Sequence, residues 1–370
     1  MQMQTPFLVS SLLFTGFSTT LPPAAQASQP LVLSQQQPNQ QLNELLRQGR
    51  ELVKAGNYAQ AIATYQQAAN LDRQNPKIFS GIGYLEARQG HFQEAAKAYQ
   101  QAIALDPKNA EFEYALGYSL ANLGDNAAAA TAYRRALSLN SKNVNTYLGL
   151  GFVLLRQKDY NGAVDAYRQA IALQPRNSEI YELLGSALLE QGRPQEAIKA
   201  LQQAATLAPS QGQSRVQMNL GRAWSKQGNP TAALAAFESA ARSAPRNAQI
   251  QLEIGKILQA QNNLSVALQA FQRAAAVEPK SVEAQASIGE IMLAQQNYMD
   301  AIVVYRQLTE LAPQDPRSYY NLGVALKGRE RFKEAIAAVE KARDLYRKKG
   351  ESEGEKKAES LLQELKKSDR

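Results

Sequence analysis

The chain has 370 residues, 44% of them hydrophobic, with only 22 Gly and 15 Pro, so its composition favours a folded and mainly helical protein. Its 41 Lys and Arg against 33 Asp and Glu give a scattered net charge of +8, which predicts no nucleic-acid partner. Because there is no cysteine and only one histidine, His91, disulfides and thiolate chemistry are excluded, and we expect no enzyme activity, cofactor or metal site.

The first element in chain order is an apolar N-terminal segment. Its run at residues 7–17 is too short to span a bilayer, and the small residues Ala25 and Ala27 fit the subsites of a signal peptidase. Residues 1–27 therefore predict a cleaved export signal and a periplasmic or other extracytoplasmic location. The start lacks the usual Lys or Arg, and the alternative is an uncleaved segment that tethers the protein to a membrane. The glutamine-rich residues 28–41 are predicted to be a flexible linker.

A period of 34 residues then runs through residues 42–349. In each of nine units a glycine occupies the eighth place and an alanine the twentieth. A large side chain, most often Tyr or Phe, follows four residues after the alanine, and proline closes six of the units. The predicted repeats are residues 42–75, 76–109, 110–143, 144–177, 178–211, 214–247, 248–281, 282–315 and 316–349.

Each unit has the length and the residue pattern of a helical hairpin. A unit of 34 residues accommodates two helices of about 14 residues and two short turns. The small residues let the two backbones approach where the helices cross, the large side chain fills the gap to the next hairpin, and proline ends the second helix. After the last unit, residues 350–370 carry Leu361, Leu362 and Leu365 on one stripe, which predicts a helix that caps the stack.

Two units illustrate the residues that identify the repeat. They contain Leu116-Gly117, Ala129, Tyr133 and Ala136 in one case, and Leu220-Gly221, Trp224, Ala233, Phe237, Ala240 and Pro245 in the other. With these residues the chain resembles the tetratricopeptide repeat family, in nine tandem repeats. The resemblance implies an all-α fold, a right-handed α-solenoid of helix-turn-helix hairpins. It also implies that the first helices line a concave groove that binds proteins or peptides and carries no catalytic chemistry.

The resemblance further implies that the second, fifth, sixth, ninth, twelfth and thirteenth residues of each repeat line the groove. Several of these places are aromatic, at Tyr84, Tyr114, Tyr118 and Phe152. A row of aromatic rings can stack on the apolar side chains of an extended peptide. Bulky residues at the ninth place also pack neighbouring first helices together, so the sequence leaves binding and packing both open.

A basic cluster lies in the sixth repeat. One helical face carries Arg215, Asn219, Arg222 and Lys226, and Lys256 follows one repeat later. This is a candidate anion clamp, and the alternative is a solvated basic surface. Some family members bind a chaperone's terminal carboxylate with a lysine at the fifth place and an asparagine at the ninth place of a repeat. The repeat before Asn219 has Glu182 and Ser186 at these two places, so this clamp is absent.

The function predicted from the sequence is that of an exported, non-catalytic scaffold or adaptor that binds protein or peptide partners. Two alternatives stay open at this point. One is a membrane-tethered assembly factor for a protein complex, with peripheral membrane association, and the other is the targeting subunit of a separate enzyme. The sequence alone identifies neither the partner nor the oligomeric state.

Overall fold

A computed structural model describes the backbone of residues 29–368 and the side chains of residues 39–368, apart from residue 211. This part of the chain contains nineteen α-helices and no strand. The helices are α1 (Gln29–Lys54), α2 (Tyr58–Leu71), α3 (Pro76–Arg88), α4 (Phe92–Leu105), α5 (Ala110–Leu123), α6 (Asn126–Leu139), α7 (Val144–Arg156), α8 (Tyr160–Leu173), α9 (Ser178–Glu190), α10 (Pro194–Leu207), α11 (Ser210–Gln227), α12 (Pro230–Ser243), α13 (Ala248–Ala260), α14 (Leu264–Val277), α15 (Val282–Ala294), α16 (Tyr298–Leu311), α17 (Pro316–Lys327), α18 (Phe332–Lys349) and α19 (Ser352–Ser368).

The chain divides into two compact units. The N-terminal unit comprises residues 1–106 and contains α1 to α4, and the C-terminal unit comprises residues 107–370 and contains α5 to α19. Within each unit every helix packs against the helices before and after it in the chain, as expected for stacked hairpins. The predicted all-α solenoid with a C-terminal capping helix is therefore confirmed.

The predicted boundaries can be compared with the structure at the N-terminus and at the sixth repeat. The prediction of a flexible linker is wrong for residues 29–41, which form the first half of α1. Gln and Leu are good helix formers, so the first helix of the first hairpin begins before the repeat does. The predicted export signal at residues 1–27 lies outside the described residues. Helix α11 begins at Ser210, so the two residues inserted before the sixth repeat are absorbed into an additional helical turn. None of the described helices combines the length and the apolar character that crossing a membrane requires.

The repeated small residues lie where the two helices of a hairpin meet. The alanine at the twentieth place is 0% exposed in all nine predicted units. A Cβ atom added at Gly117 would lie 2.8 Å from the ring of Tyr133, and one added at Gly255 would lie 2.5 Å from the ring of Phe271. Each large side chain thus covers the glycine of its own hairpin, and close packing of the two helices requires the missing side chain.

Both turns of the repeat have a local chemical cause. The turn inside each hairpin contains one residue with positive φ, which is glycine in five repeats and Lys158, Asn262, Gln296 or Glu330 in the others. The turn between hairpins ends in an N-cap for the next first helix. At Asn109, for example, the side-chain oxygen accepts a hydrogen bond of 3.0 Å from the backbone N–H of Glu111. The prolines of this turn were predicted from the sequence, whereas these capping asparagines were not.

The two ends of the stack are closed in different ways. In α1 the third, seventh and tenth places of the repeat are the exposed Glu44, Gln48 and Glu51, whereas those places are buried in most later repeats. At the other end α19 buries Leu361, Leu362 and Leu365, and the ion pairs Arg347–Glu355 (2.6 Å) and Lys366–Glu340 (3.2 Å) join it to α18. Polar outer faces of this kind are typical of terminal repeats.

Candidate partner-binding groove

A cavity in the C-terminal unit is lined mainly by first helices of consecutive hairpins. It encloses about 370 Å³ between α7, α9, α11 and α13. The lining side chains are Leu155, Ser186, Leu189, Glu190, Asn219, Arg222, Ser225, Lys226, Phe237 and Glu253. All of them except Phe237 stand at the sixth, ninth, twelfth or thirteenth place of a repeat. The cavity thus lies on the face that the sequence predicts to be the groove, and we refer to it as the groove cavity.

The predicted aromatic residues are partly buried. Tyr84 packs against the hydrophobic core of the N-terminal unit, and Tyr114 and Phe152 pack against a core of the C-terminal unit. The ring centroid of Tyr114 lies 5.9 Å from that of the fully buried Tyr133, and burial raises the pKa of Tyr114 to about 12. The Arg156 guanidinium lies 5.6 Å from the centroid of the Phe152 ring. These rings contribute to packing and still expose part of their surface, as does Tyr118.

Gly149 lies beneath the aromatic residues on α5 and α7, which we call the aromatic part of the groove. It occupies the sixth place of its repeat, inside α7, where other repeats carry a side chain such as Asn219 or Glu253. A Cβ atom at this position would lie 2.6 Å from Cζ of Tyr133. The glycine therefore gives room to the Tyr133 ring, which reaches the first helix of the following hairpin.

Most of the predicted basic cluster is held by partners inside the protein. The Arg215 guanidinium donates from Nε to both carboxylate oxygens of Glu182, at 2.6 and 2.8 Å, and Nδ2 of Asn219 donates to the same carboxylate at 3.0 Å. Glu182 is 7% exposed, so burial raises its pKa while the hydrogen bonds from Arg215 act against that rise. Arg215 and Asn219 therefore form an internal network with Glu182 rather than a free anion site.

The remaining three cations of the cluster differ in whether they have a partner inside the protein. Nζ of Lys226 donates to the backbone carbonyl of Leu189 at 3.2 Å, and Nζ of Lys256 lies 2.7 Å from a carboxylate oxygen of Glu283. Arg222 is exposed and makes no hydrogen bond, ion pair or ring contact with any described residue. The prediction of five cooperating residues is thus reduced to one unpaired guanidinium on the wall of the groove cavity.

Two acidic side chains, Glu190 and Glu253, also line the groove cavity. Glu190 is exposed and, like Arg222, has no partner among the described residues. Glu253 accepts a hydrogen bond of 2.7 Å from Nε2 of Gln249. The groove cavity therefore presents both signs of charge beside the apolar side chains of Leu155 and Leu189. Among the described residues no group of three or more His, Asp or Glu is arranged to hold a metal ion.

Comparison with protein families decides how the repeats are classified. The tetratricopeptide repeat model matches residues 80–144, 148–212, 218–282, 252–316 and 287–349, and a second TPR repeat model matches residues 49–90. Together these matches cover well over half of the chain. The chain belongs to the tetratricopeptide repeat family. A comparison with curated proteins found no match to this TPR chain.

Solved structures of other TPR proteins share the fold. A tetratricopeptide repeat protein from Parabacteroides merdae is 18% identical, with a TM-score of 0.50, over 68% of this chain and 99% of its own. MamA from Desulfovibrio magneticus is 26% identical, with a TM-score of 0.43, over 45% of this chain and 94% of its own. YrrB, described as a TPR protein with an unusual peptide-binding site, is 23% identical, with a TM-score of 0.44, over 51% of this chain and 96% of its own. The similarity to the Parabacteroides merdae protein supports the fold and says nothing of a particular partner.

Proposed function

We propose that this TPR protein is a non-catalytic scaffold that binds protein or peptide partners in the groove of its C-terminal unit. The observation that supports this proposal is the groove cavity, because four first helices contribute equivalent repeat positions to one concave surface. Binding sites for peptides combine apolar surface with a few polar groups that fix orientation. The cavity provides both, with Leu155 and Leu189 beside Arg222 and Glu190.

The chemistry of the groove favours a polypeptide over nucleic acid. A nucleic-acid strand needs a continuous track of cations along its phosphates. Here Glu190 and Glu253 alternate with Arg222 and Lys226 on one wall. The lining residues also include no histidine, and His91 lies in a turn of the N-terminal unit, where Nδ1 is 2.9 Å from a carboxylate oxygen of Glu86. These features support binding rather than catalysis.

Site-specific crosslinking tests this proposal. Because the chain has no cysteine, Ser186→Cys places a single thiol on the groove cavity and Gln169→Cys places one on the exposed surface of α8. Each thiol is labelled with a benzophenone maleimide and irradiated in extracts of the native cells. Specific adducts are expected from the groove position and not from the α8 position. Adducts that form equally at both positions, or only at Gln169, would show that the groove is not the binding surface.

The export of the protein is a separate proposal that rests on the sequence of residues 1–27. We propose that the mature protein begins near Ser28 and works outside the cytoplasm. N-terminal sequencing of the protein from native cells distinguishes this from the alternative of a membrane-tethered assembly factor. An intact N-terminus, with release from membranes only by detergent and not by salt, would favour the tethered form.

A further inference from the structure

Arg222 differs from every other cation on the groove face of the C-terminal unit. Arg156 lies over the Phe152 ring, and the other groove cations have the partners Glu182, Leu189, Glu283, Asp315 and Glu364. Within the described residues of this face, Arg222 alone has no partner. No contact within the described residues gives the Arg222 guanidinium a structural role, whereas a carboxylate, a backbone carbonyl or an aromatic ring interacts with each of the other groove cations.

The surroundings of Arg222 restrict what can bind to it. A guanidinium presents a planar fork of N–H donors that matches a carboxylate, and the partly enclosed cavity strengthens such a pair. The partly exposed side chain of Leu155 lines the same cavity, next to the largely buried Leu189, and suits an apolar residue next to the acid. Glu190 and Glu253 would repel a second acidic residue, so a polyacidic segment does not fit.

Resting on the function proposed above, we propose that the groove cavity recognises an extended peptide with one acidic side chain next to an apolar one. The acid pairs with Arg222, and the apolar side chain enters the space between Leu155 and Leu189. Glu190 then selects against a further acidic residue and favours a basic or neutral one. Lys226 contributes positive charge but is already directed to the backbone carbonyl of Leu189, so Arg222 is the anchor of the interaction.

The probe for this proposal is a phage-displayed library of random dodecapeptides, selected on the full-length protein. Selected peptides are synthesised with a fluorescent label, and their dissociation constants are measured by anisotropy. We expect the selected sequences to share a single Asp or Glu next to an apolar residue. We also expect Arg222→Gln to weaken binding about 10-fold or more, since a charge-assisted hydrogen bond is lost. Replacement of the acid in the peptide by its amide should give the same loss, and both changes together should cost little more.

The matched control is Arg273→Gln. Arg273 is also exposed and without a partner among the described residues, but it lies on α14, a second helix away from the groove cavity. This change alters the net charge equally and should leave binding within about 2-fold, so a general electrostatic effect would be recognised. Circular dichroism of both variants checks that the helical content is unchanged.

The outcomes separate this inference from the proposed function. Peptides that crosslink to the Ser186→Cys protein but carry no acidic residue, or that bind the Arg222→Gln protein normally, would overturn the role of Arg222 and leave groove binding intact. Selected peptides that bind but crosslink only at Gln169→Cys would overturn both. A failure to select any peptide with measurable affinity would also count against both.

Discussion

The aromatic part of the groove, on α5 and α7, and the charged part, on α9 and α11, are built from the same repeat positions but use them differently. In the aromatic part, Tyr114 and Phe152 pack against the core, and the ring of Tyr114 contacts the buried ring of Tyr133. In the charged part, Glu182 collects Arg215 and Asn219 in one network and leaves Arg222 free. Position in the repeat therefore says which side chains face the groove, whereas the neighbouring repeat decides which of them are available to a partner.

This contrast predicts that changes in the aromatic part will mainly affect stability. The largest effect is expected for Tyr133→Ala, because this ring is 1% exposed and lies between two hairpins. Loss of such a side chain should lower the free energy of unfolding by about 3–5 kcal/mol, measured by urea denaturation. Tyr118→Ala is the comparison, since its ring is only partly buried, and it should cost clearly less. Equal costs would mean that the exposed aromatic row is core and not groove surface.

A smaller loss of stability is expected when a side chain is added at Gly149. Gly149→Ala places a Cβ atom within 2.6 Å of Tyr133, and that ring is buried and cannot move aside cheaply. Overpacking should lower the free energy of unfolding by about 1–3 kcal/mol. Gly212→Ala in α11 is the control, because the nearest atom to its added Cβ would be 3.8 Å away, and alanine there should be neutral or stabilising. Similar effects of the two substitutions would contradict the assigned position of Tyr133.

The smallest of these effects concerns a buried carboxylate in the aromatic part. Glu113 is 4% exposed, its Oε2 atom has no hydrogen-bond partner, and the exposed Arg135 is 3.9 Å away. Burial raises the pKa of Glu113, so the folded state binds a proton more tightly than the unfolded state does. Ionisation of Glu113 therefore destabilises the fold as the pH rises from the ordinary range of a glutamate through this raised value.

Glu113→Gln should remove that penalty. The free energy of unfolding at pH 7.5 is expected to rise by about 1 kcal/mol relative to the wild type, and the difference should disappear at about pH 3, where Glu113 is protonated in both states. Glu238→Gln, in the middle of α12, alters an exposed carboxylate without a partner among the described residues and should have little effect at either pH. A benefit that does not depend on pH would show that charge burial at Glu113 is not its cause.

Much of the fold could be predicted because each signal is local and recurs in register. Gly117 with Ala129, and their equivalents in the other repeats, specify where two helices cross, and this defines a hairpin without any long-range information. The groove positions followed from the family resemblance. Residues 29–41 were predicted wrongly, because a glutamine-rich segment is compatible with a linker and with a helix that continues from an adjoining one.

The pairing of the basic cluster could not be predicted from its own helix. Arg215 and Asn219 reach Glu182 across 33 and 37 residues of sequence, and the contact depends on how two first helices lie side by side. A helical face drawn from Arg215 to Lys226 shows the four polar residues of the cluster on that helix but none of their partners. One sequence feature could have predicted this pairing. Glu182 occupies the fifth place of its repeat, and this place lies opposite the second and sixth places of the next repeat, where Arg215 and Asn219 stand.

The first and last described helices have a consequence for the addition of further hairpins. At the first hairpin a further copy would have to bury Glu44, Gln48 and Glu51, and at the last it would have to displace Leu361 and its neighbours in α19. Both steps are unfavourable, because one desolvates charges and the other exposes apolar side chains. The outer faces of α1 and α19 therefore both disfavour the docking of a further hairpin, α1 because of its polar side chains and α19 because its leucines are already buried.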